Sequence, residues 1–391
     1  MDNGNRKKRK KVLVWETLST VSGGQKMTLT VMDLLGNDFE FCCLIPEEGK
    51  LSDELTKRKI KYIKMGSQSL PTGVKGKKVI FKYGVMSLKN IWKSSMAIIK
   101  FKPDVLYAPG PAALPWSAVC GTIFRKPVIW HLHHIFLDGP TMKLLNVCGK
   151  WKSVKKIIAV SNCVGNQITS TSAHNKVEVL YNPVNVEKYE TGNGEKAKFE
   201  IEKVLNRKIN WVGQLVVVQI GAITKNKCQD FFVEVISALK KYNPNVLGIL
   251  LGDAHTDYDK KFKNELICKI HEKNITENIC MMGNKKNIND YLSITDCVLI
   301  PSQEGLSLVA LEAMCAKKRI VAINKYGTKE ILNLALCGEL YEENASADNV
   351  AEKILNSKCL QNKDSLSRGK IFCKSLSEER FTEGISNIFS C

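Results

Sequence analysis

Pro301-Ser302-Gln303-Glu304-Gly305-Leu306-Ser307-Leu308-Val309-Ala310-Leu311-Glu312-Ala313-Met314 directly follows the apolar run Cys297–Ile300, which reads as a buried strand. Pro301 and Gly305 end that strand, and the pattern predicts a helix beginning near Leu306. From Leu306 to Ala316 only Ser307 and Glu312 are polar, so the helix is expected to be buried all round. A carboxylate in such a helix costs several kcal/mol unless hydrogen bonds or charge match it. Glu312 is therefore expected to meet a ligand's hydroxyls or a buried partner. Glu304 lies before the helix, at the C-terminal end of a strand, where doubly wound folds collect ligand contacts. The N–H groups of Gly305, Leu306 and Ser307 at the helix start would form a phosphate site. A plainer alternative keeps both acids structural, with Glu304 offsetting the helix dipole and Glu312 paired to a buried lysine.

The same alternation of short β-branched runs and amphipathic stretches extends along the chain, the pattern of parallel sheets covered by helices. In the first half the predicted strands are Val12–Trp15, Phe39–Leu44, Ile60–Lys64, Asp104–Tyr107, Val128–His133, Lys156–Val160 and Val177–Leu180. In the second half they are Val216–Ile220, Val246–Leu251, Ile279–Met282, Cys297–Ile300, Ile320–Ala322 and Glu339–Tyr341. Between the two series, Glu187–Asn210 is rich in Glu, Lys, Gly and Asn and poor in large apolar residues. The expected architecture is α/β, with two doubly wound domains over 1–186 and 213–370 joined by a linker, 187–212. Their sheets' C-terminal ends would face a common cleft, and a C-terminal helix over 371–391 would pack back on the first domain. Neither half carries GxGxxG, which argues against a standard dinucleotide site. Ser67–Lys82, with Gly73, Gly76 and four lysines, reads as a mobile basic loop.

The 391 residues hold 58 Lys plus Arg against 39 Asp plus Glu, a net charge of +19. The excess is uneven: residues 1–190 hold 30 basic and 14 acidic side chains, or +16, against 28 and 25, or +3, in residues 191–391. A composition bias alone would load both halves equally, so the first half is expected to face an acidic partner. Apolar residues at 44% and charged residues at 25% exclude a disordered or fibrous chain. The 14 cysteines are spread without a CxxC pair and read as buried thiols of a reducing compartment. Arg6–Lys11 is basic but leads into no signal-peptide hydrophobic region, and no run approaches the length of a membrane span. The expected location is the cytoplasm, with the protein resting on a membrane surface.

Two smaller constellations add candidates. Trp130-His131-Leu132-His133-His134 ends a predicted strand and holds three of the six histidines; alternation puts His131 and His133 on one face. Zinc would need further ligands, and only Asp138 and the distant Cys148 are at hand. Ser22-Gly23-Gly24 follows the first strand, where glycine lets the backbone approach a ligand before a helix starts.

Glu304-x7-Glu312 within EGLSLVALEAM resembles the E-x7-E motif of retaining GT-B glycosyltransferases of family 4, also called group 1. The likeness covers nearly the whole chain. Asp296-Cys297-Val298-Leu299-Ile300-Pro301-Ser302 resembles the family's lead-in to that motif, and Gly327 with Glu330 resembles its later Gly-Gly-x-x-Glu. Ile220-Gly221-Ala222-Ile223-Thr224-Lys225-Asn226-Lys227 is similar to the loop that holds the donor diphosphate. Gly23 and Gly24 match the family's first glycine loop, and Ile157–Ser161 resembles its "iiavS" strand.

The resemblance implies a GT-B fold and transfer of a sugar from a nucleotide donor with retention, the first domain taking the acceptor and the second the donor. It implies that Glu312 binds ribose hydroxyls, that Glu304 contacts and orients the sugar, and that the Leu306 and Ser307 amides hold phosphate. Lys227 would neutralise the departing diphosphate, and a cation so placed stabilises the transition state in any chemistry. The remaining donor-site residues implied are Gly305, Gly221, Gly23 and Gly24, with His133 as the catalytic histidine; His131 and His134 stay open for that role. No cofactor and no metal are expected.

This sequence departs from the family at several positions. Ala222 stands for a phosphate-binding Arg, leaving Lys227 and Lys225 to carry the charge. Cys228, Lys317 and Tyr326 stand where the family commonly has glycine, and Arg319 where it has proline. A sugar-nucleotide epimerase or phosphorylase of the same fold is one competing reading, although no dedicated lysine motif for pyridoxal phosphate is visible. A basic nucleic-acid-binding protein is another, but the basic runs lack interleaved aromatics apart from Phe81. The charge then fits an anionic membrane or a lipid-linked acceptor on it, with UDP or GDP as the expected nucleotide.

Overall fold

A computed structural model describes residues 9–66, 77–356 and 363–390. The first unit is built on a seven-stranded sheet, β1 (Lys10–Trp15), β2 (Phe39–Ile45), β3 (Lys61–Lys64), β4 (Val105–Ala108), β5 (Val128–Leu132), β6 (Val154–Ala159) and β7 (Val177–Val179). Its order is β3-β2-β1-β4-β5-β6-β7, and every pairing is parallel. The second unit has six strands, β8 (Leu215–Ile220), β9 (Val246–Leu251), β10 (Ile279–Gly283), β11 (Cys297–Ile300), β12 (Arg319–Ile323) and β13 (Glu339–Tyr341), in the order β10-β9-β8-β11-β12-β13. All thirteen predicted runs become strands. Parallel strands sandwiched between helices are buried on both faces and need continuous apolar runs. β4, β5, β9, β11 and β12 are buried at every position.

The chain divides into one unit of residues 1–182 with 379–391 and another of residues 183–378. The final helix, Glu378–Ser390, supplies Phe381, Ile385, Ile388 and Phe389 to the first unit's core, where Phe389 meets Phe39 and Tyr107. The helix before it, Lys363–Ser375, belongs to the second unit: Gly369 lies against Met314 and Cys337. The sequence-based boundary at 371 thus falls inside a helix, and the chain leaves the second unit at 379.

Three expectations need correction. The stretch 187–212 is not an open linker: it forms helices Glu187–Glu190 and Gly194–Leu205, and Ala197 and Ile201 are buried against the second sheet. The few apolar residues there sit four apart, so their density looks low while their register suits one helix face. Of the expected basic loop 67–82, residues 67–76 lie outside the described residues, whereas Lys77 opens the long helix Lys77–Phe101. Lysine is a good helix former, and the glycines that suggested a loop lie upstream of it. The motif helix runs Leu308–Cys315, two residues later than expected, because Ser307 caps it by accepting from the Ala310 N–H. Nine of the cysteines among the described residues are buried.

Candidate functional site

In the second sheet the strand order turns back between β8 and β11, and ligands of such sheets bind beyond the strand ends at that point. The loop after β8 carries Gly221 and Lys227; the loop after β11 carries Glu304. Lys227 ends a short 3-10 turn, Lys225–Lys227, whose last carbonyl accepts from the buried Gln219 side chain at 2.6 Å. Its ammonium forms a salt bridge with Glu304, half open to solvent. The same carboxylate oxygen accepts from the Ser302 hydroxyl at 2.7 Å. The two charged residues picked from separate motifs are therefore one ion pair.

Backbone packing fixes these loops. A Cβ on Gly252 would lie 1.9 Å from the Gly221 carbonyl oxygen, and one on Gly327 would lie 1.9 Å from that of Gly305. The Gly327 N–H also donates to the Glu304 carbonyl at 2.9 Å. Any side chain at 252 or 327 would push the loop after β8 or the loop after β11 out of place.

Glu312 is not buried all round. With Leu308, Val309 and Ala316 it forms a half-open strip of its helix, while Ala310, Leu311, Ala313, Met314 and Cys315 are buried. Its Oε1 accepts from the Tyr189 hydroxyl at 2.8 Å. Burial, reinforced by that carboxylate, pushes the Tyr189 phenol well above its usual range, so it stays a donor. Tyr189 sits in the stretch read as linker, and its only sequence signal is an isolated aromatic among charged residues. Gly305, Leu306 and Ser307, expected to open the helix, form the buried bend before it. The first-turn amides are those of Leu308, Val309 and Ala310, the last already held by Ser307.

The departures from the family pattern have physical readings. Cys228, Lys317 and Tyr326 all adopt positive φ, at 54°, 52° and 47°, so the glycine backbone is kept without the glycine. Arg319 is buried, and its guanidinium meets Glu339 at 2.7 Å and the carbonyls of Lys353 and Ile354 at the end of helix Ala347–Leu355. Lys225 does not join Lys227: its ammonium lies 4.0 Å from Glu265 and over the Tyr258 ring.

The first sheet turns back between β1 and β4. Beyond β1, Glu16 accepts from Gln25 Nε2 at 2.8 Å and from Thr28 Oγ1 at 2.5 Å, both on helix Gly23–Leu35. Burial raises its carboxyl pKa against those bonds. Gly23 and Gly24 form the first turn of that helix, and a Cβ on Gly24 would meet nothing within 4 Å. Tyr107 on β4 shares a 2.6 Å hydrogen bond with His131 Nδ1, and the His131 and His133 rings lie 4.1 Å apart. His133 falls one residue past β5, and His134 is exposed. Burial lowers His131 to about 3, and burial with the two neighbouring histidines holds His133 well below the usual imidazole range, so both rings are neutral near pH 7. Among the described residues, the Nε2 atoms of His131 and His133 are buried without a hydrogen-bond partner. Among the described residues no three metal-ligating side chains gather, and Asp138 caps a helix through the Thr141 N–H.

The model of glycosyl transferases group 1 matches residues 202–368, and that of glycosyltransferase family 4 matches residues 40–188. A capsular polysaccharide biosynthesis glycosyltransferase, CapH of Staphylococcus aureus, is 25% identical over 74% of this chain and 75% of its own length. An uncharacterised glycosyltransferase of Methanocaldococcus jannaschii, MJ1178, is 27% identical over 78% of this chain and 81% of its own. Among solved structures, HepE of Anabaena in complex with UDP-glucose superimposes with a TM-score of 0.76 at 19% identity, covering 97% of this chain and 99% of that one. Two parallel sheets with interleaved helices, two family models and these neighbours agree: the chain is a glycosyltransferase of group 1, family 4 type, with the GT-B fold.

Proposed function

We propose that this enzyme transfers a hexose or related sugar, with retention, from UDP or GDP to a saccharide acceptor carried on a lipid at the cytoplasmic face of a membrane. The observation that carries the donor half is the Lys227–Glu304 pair at the turning point of the second sheet, with the Glu312–Tyr189 hydrogen bond on the helix that follows the Glu304 loop. Lys227 can exchange its carboxylate partner for the donor diphosphate, and Glu304, so released, can accept from the sugar hydroxyls. Glu312 takes the ribose hydroxyls. UDP is favoured over GDP, since HepE is described in complex with UDP and with UDP-glucose.

In the proposed step the acceptor hydroxyl attacks the anomeric carbon from the face the diphosphate leaves. The bond from that carbon to the diphosphate oxygen breaks, and the same oxygen takes the hydroxyl proton. The charge that develops on the diphosphate is met by Lys227, without a metal, and addition of a chelator should leave turnover unchanged. In the first unit, His133 is proposed to face the acceptor and the transferred sugar as a neutral hydrogen-bonding group. The acceptor assignment is supported by the +16 carried on residues 1–190 and by the role in capsular polysaccharide biosynthesis given for CapH.

The test is a panel of UDP- and GDP-sugars assayed for hydrolysis and transfer, with UDP titrated into wild type and Glu312→Ala. UDP affinity should fall at least about tenfold, the worth of a charged hydrogen bond or two; unchanged affinity and turnover would remove Glu312 from the donor site.

A further inference from the structure

The helix Lys77–Phe101 carries apolar side chains on both faces. Its inward face mixes polar and apolar groups: Ser94 Oγ accepts from the Trp15 indole N–H at 2.8 Å, Ser87 Oγ from that of Trp116 at 2.6 Å, Asn90 is fully buried, and Ala97, Ile98 and Phe101 are buried beside them. Its outward face carries Phe81, Val85, Leu88, Trp92, Met96 and Ile99, all exposed, with Phe81 at 75%, Leu88 at 72% and Trp92 at 64%. Their spacings of three and four put them on one stripe about five turns long. Lys82, Lys89 and Lys100 follow the same periodicity along one flank of the stripe, and Lys93, in the same row, is half-buried with its ammonium donating to the Met65 carbonyl. In its 25 residues the helix has six lysines and no acid.

A soluble surface rarely leaves so large an apolar stripe open, and the charge beside it selects what covers it. A second copy of the same helix would bring lysine rail against lysine rail. An anionic lipid surface satisfies both features at once: apolar side chains enter the headgroup boundary while lysines meet phosphates. Tryptophan and phenylalanine on the apolar face with lysine on the flank is the pattern of helices that lie in that boundary. We propose that the outward face of the 77–101 helix is the surface by which the first unit docks on an anionic membrane. This deepens the reading of a membrane-bound acceptor and takes its purpose from it.

The experiment is co-sedimentation of the full chain with vesicles of phosphatidylcholine alone and of phosphatidylcholine with about one-third phosphatidylglycerol, at low and high salt. Wild type should bind the anionic vesicles only, more weakly at high salt. Lys89→Gln with Lys100→Gln should weaken binding by about fivefold for each lysine, the equivalent of ~1 kcal/mol apiece. Leu88→Gln with Trp92→Gln should abolish it, and a brominated lipid should quench wild-type fluorescence more than that of Trp92→Phe. No binding by wild type, or equal binding by the Leu88/Trp92 variant, would overturn the proposal. So would a stable dimer in sedimentation velocity that the same variant dissociates, which would assign the stripe to a second copy. Hydrolysis of the nucleotide sugar is measured without vesicles for every variant. If it persists while wild type ignores lipid, the docking surface fails and the donor-site reading stands.

Discussion

At the turning point of the second sheet, a lysine and a glutamate from two loops meet as a half-open ion pair; at and beside that of the first, the buried Glu16 and His131 and the half-buried His133 are driven toward their neutral forms. The sheets share a strand order up to the extra edge strand β7. What differs is how much water the loops admit. On the proposed assignment, the half that receives and releases a diphosphate keeps its countercharge solvated and exchangeable, and the half that recognises hydroxyls holds uncharged donors and acceptors dry.

The largest effect should come from breaking the charged side. Lys227→Ala should lower kcat by about 10²–10³, because the cation is lost and Glu304 is left facing the diphosphate. Adding Glu304→Gln to that variant should recover part of the loss in donor affinity; equal or worse affinity in the double variant would show that the two do not share a site. Tyr189→Phe should raise the donor KM about twofold to tenfold with little change in kcat, the worth of one hydrogen bond that positions Glu312.

The dry side can be probed by pH. His131 moves from its ordinary 6.5 to about 3 on folding. Below pH 6.5 the unfolded chain therefore binds a proton that the folded chain refuses. Its contribution is full above 6.5 and is lost as pH falls toward 3, by about 1.4 kcal/mol per pH unit. The raised Glu16 carboxyl acts in the opposite sense, so the informative quantity is the difference between wild type and His131→Asn in thermal unfolding from pH 7 to 4. A difference that stays flat across that range would show that His131 is not buried neutral. The smallest effect is backbone strain: Lys317 is exposed and held at positive φ, and Lys317→Gly should stabilise the second unit by about 0.5–1 kcal/mol in chemical denaturation.

The sheets were legible because strands buried on both faces, such as β4, β9 and β11, are apolar runs, and Glu304 and Glu312 because a carboxylate in an apolar segment needs a reason. Glu304 and Lys227 could be picked singly but not as a pair, since 77 residues separate them and only strand order brings β8 beside β11. Tyr189 escaped because a one-turn helix leaves no periodicity to read. Glu16 looked like part of a turn, and the two donors that bury its carboxylate lie a helical turn apart in the next element. The 77–101 helix is apolar on both faces, and a pattern alone does not say which face looks outward.

The return of Glu378–Ser390 to the first core also sets an order of events during synthesis. Phe381, Ile385, Ile388 and Phe389 leave the ribosome roughly 200 residues after the first sheet is complete, a delay of roughly 10–40 s at ordinary elongation rates. Until then Phe39 and Tyr107 lack the aromatic partner they hold in the finished protein. The half of the enzyme that is made first is the half that is finished last, and a nascent chain stalled or clipped before residue 381 would expose apolar core at the unit made first.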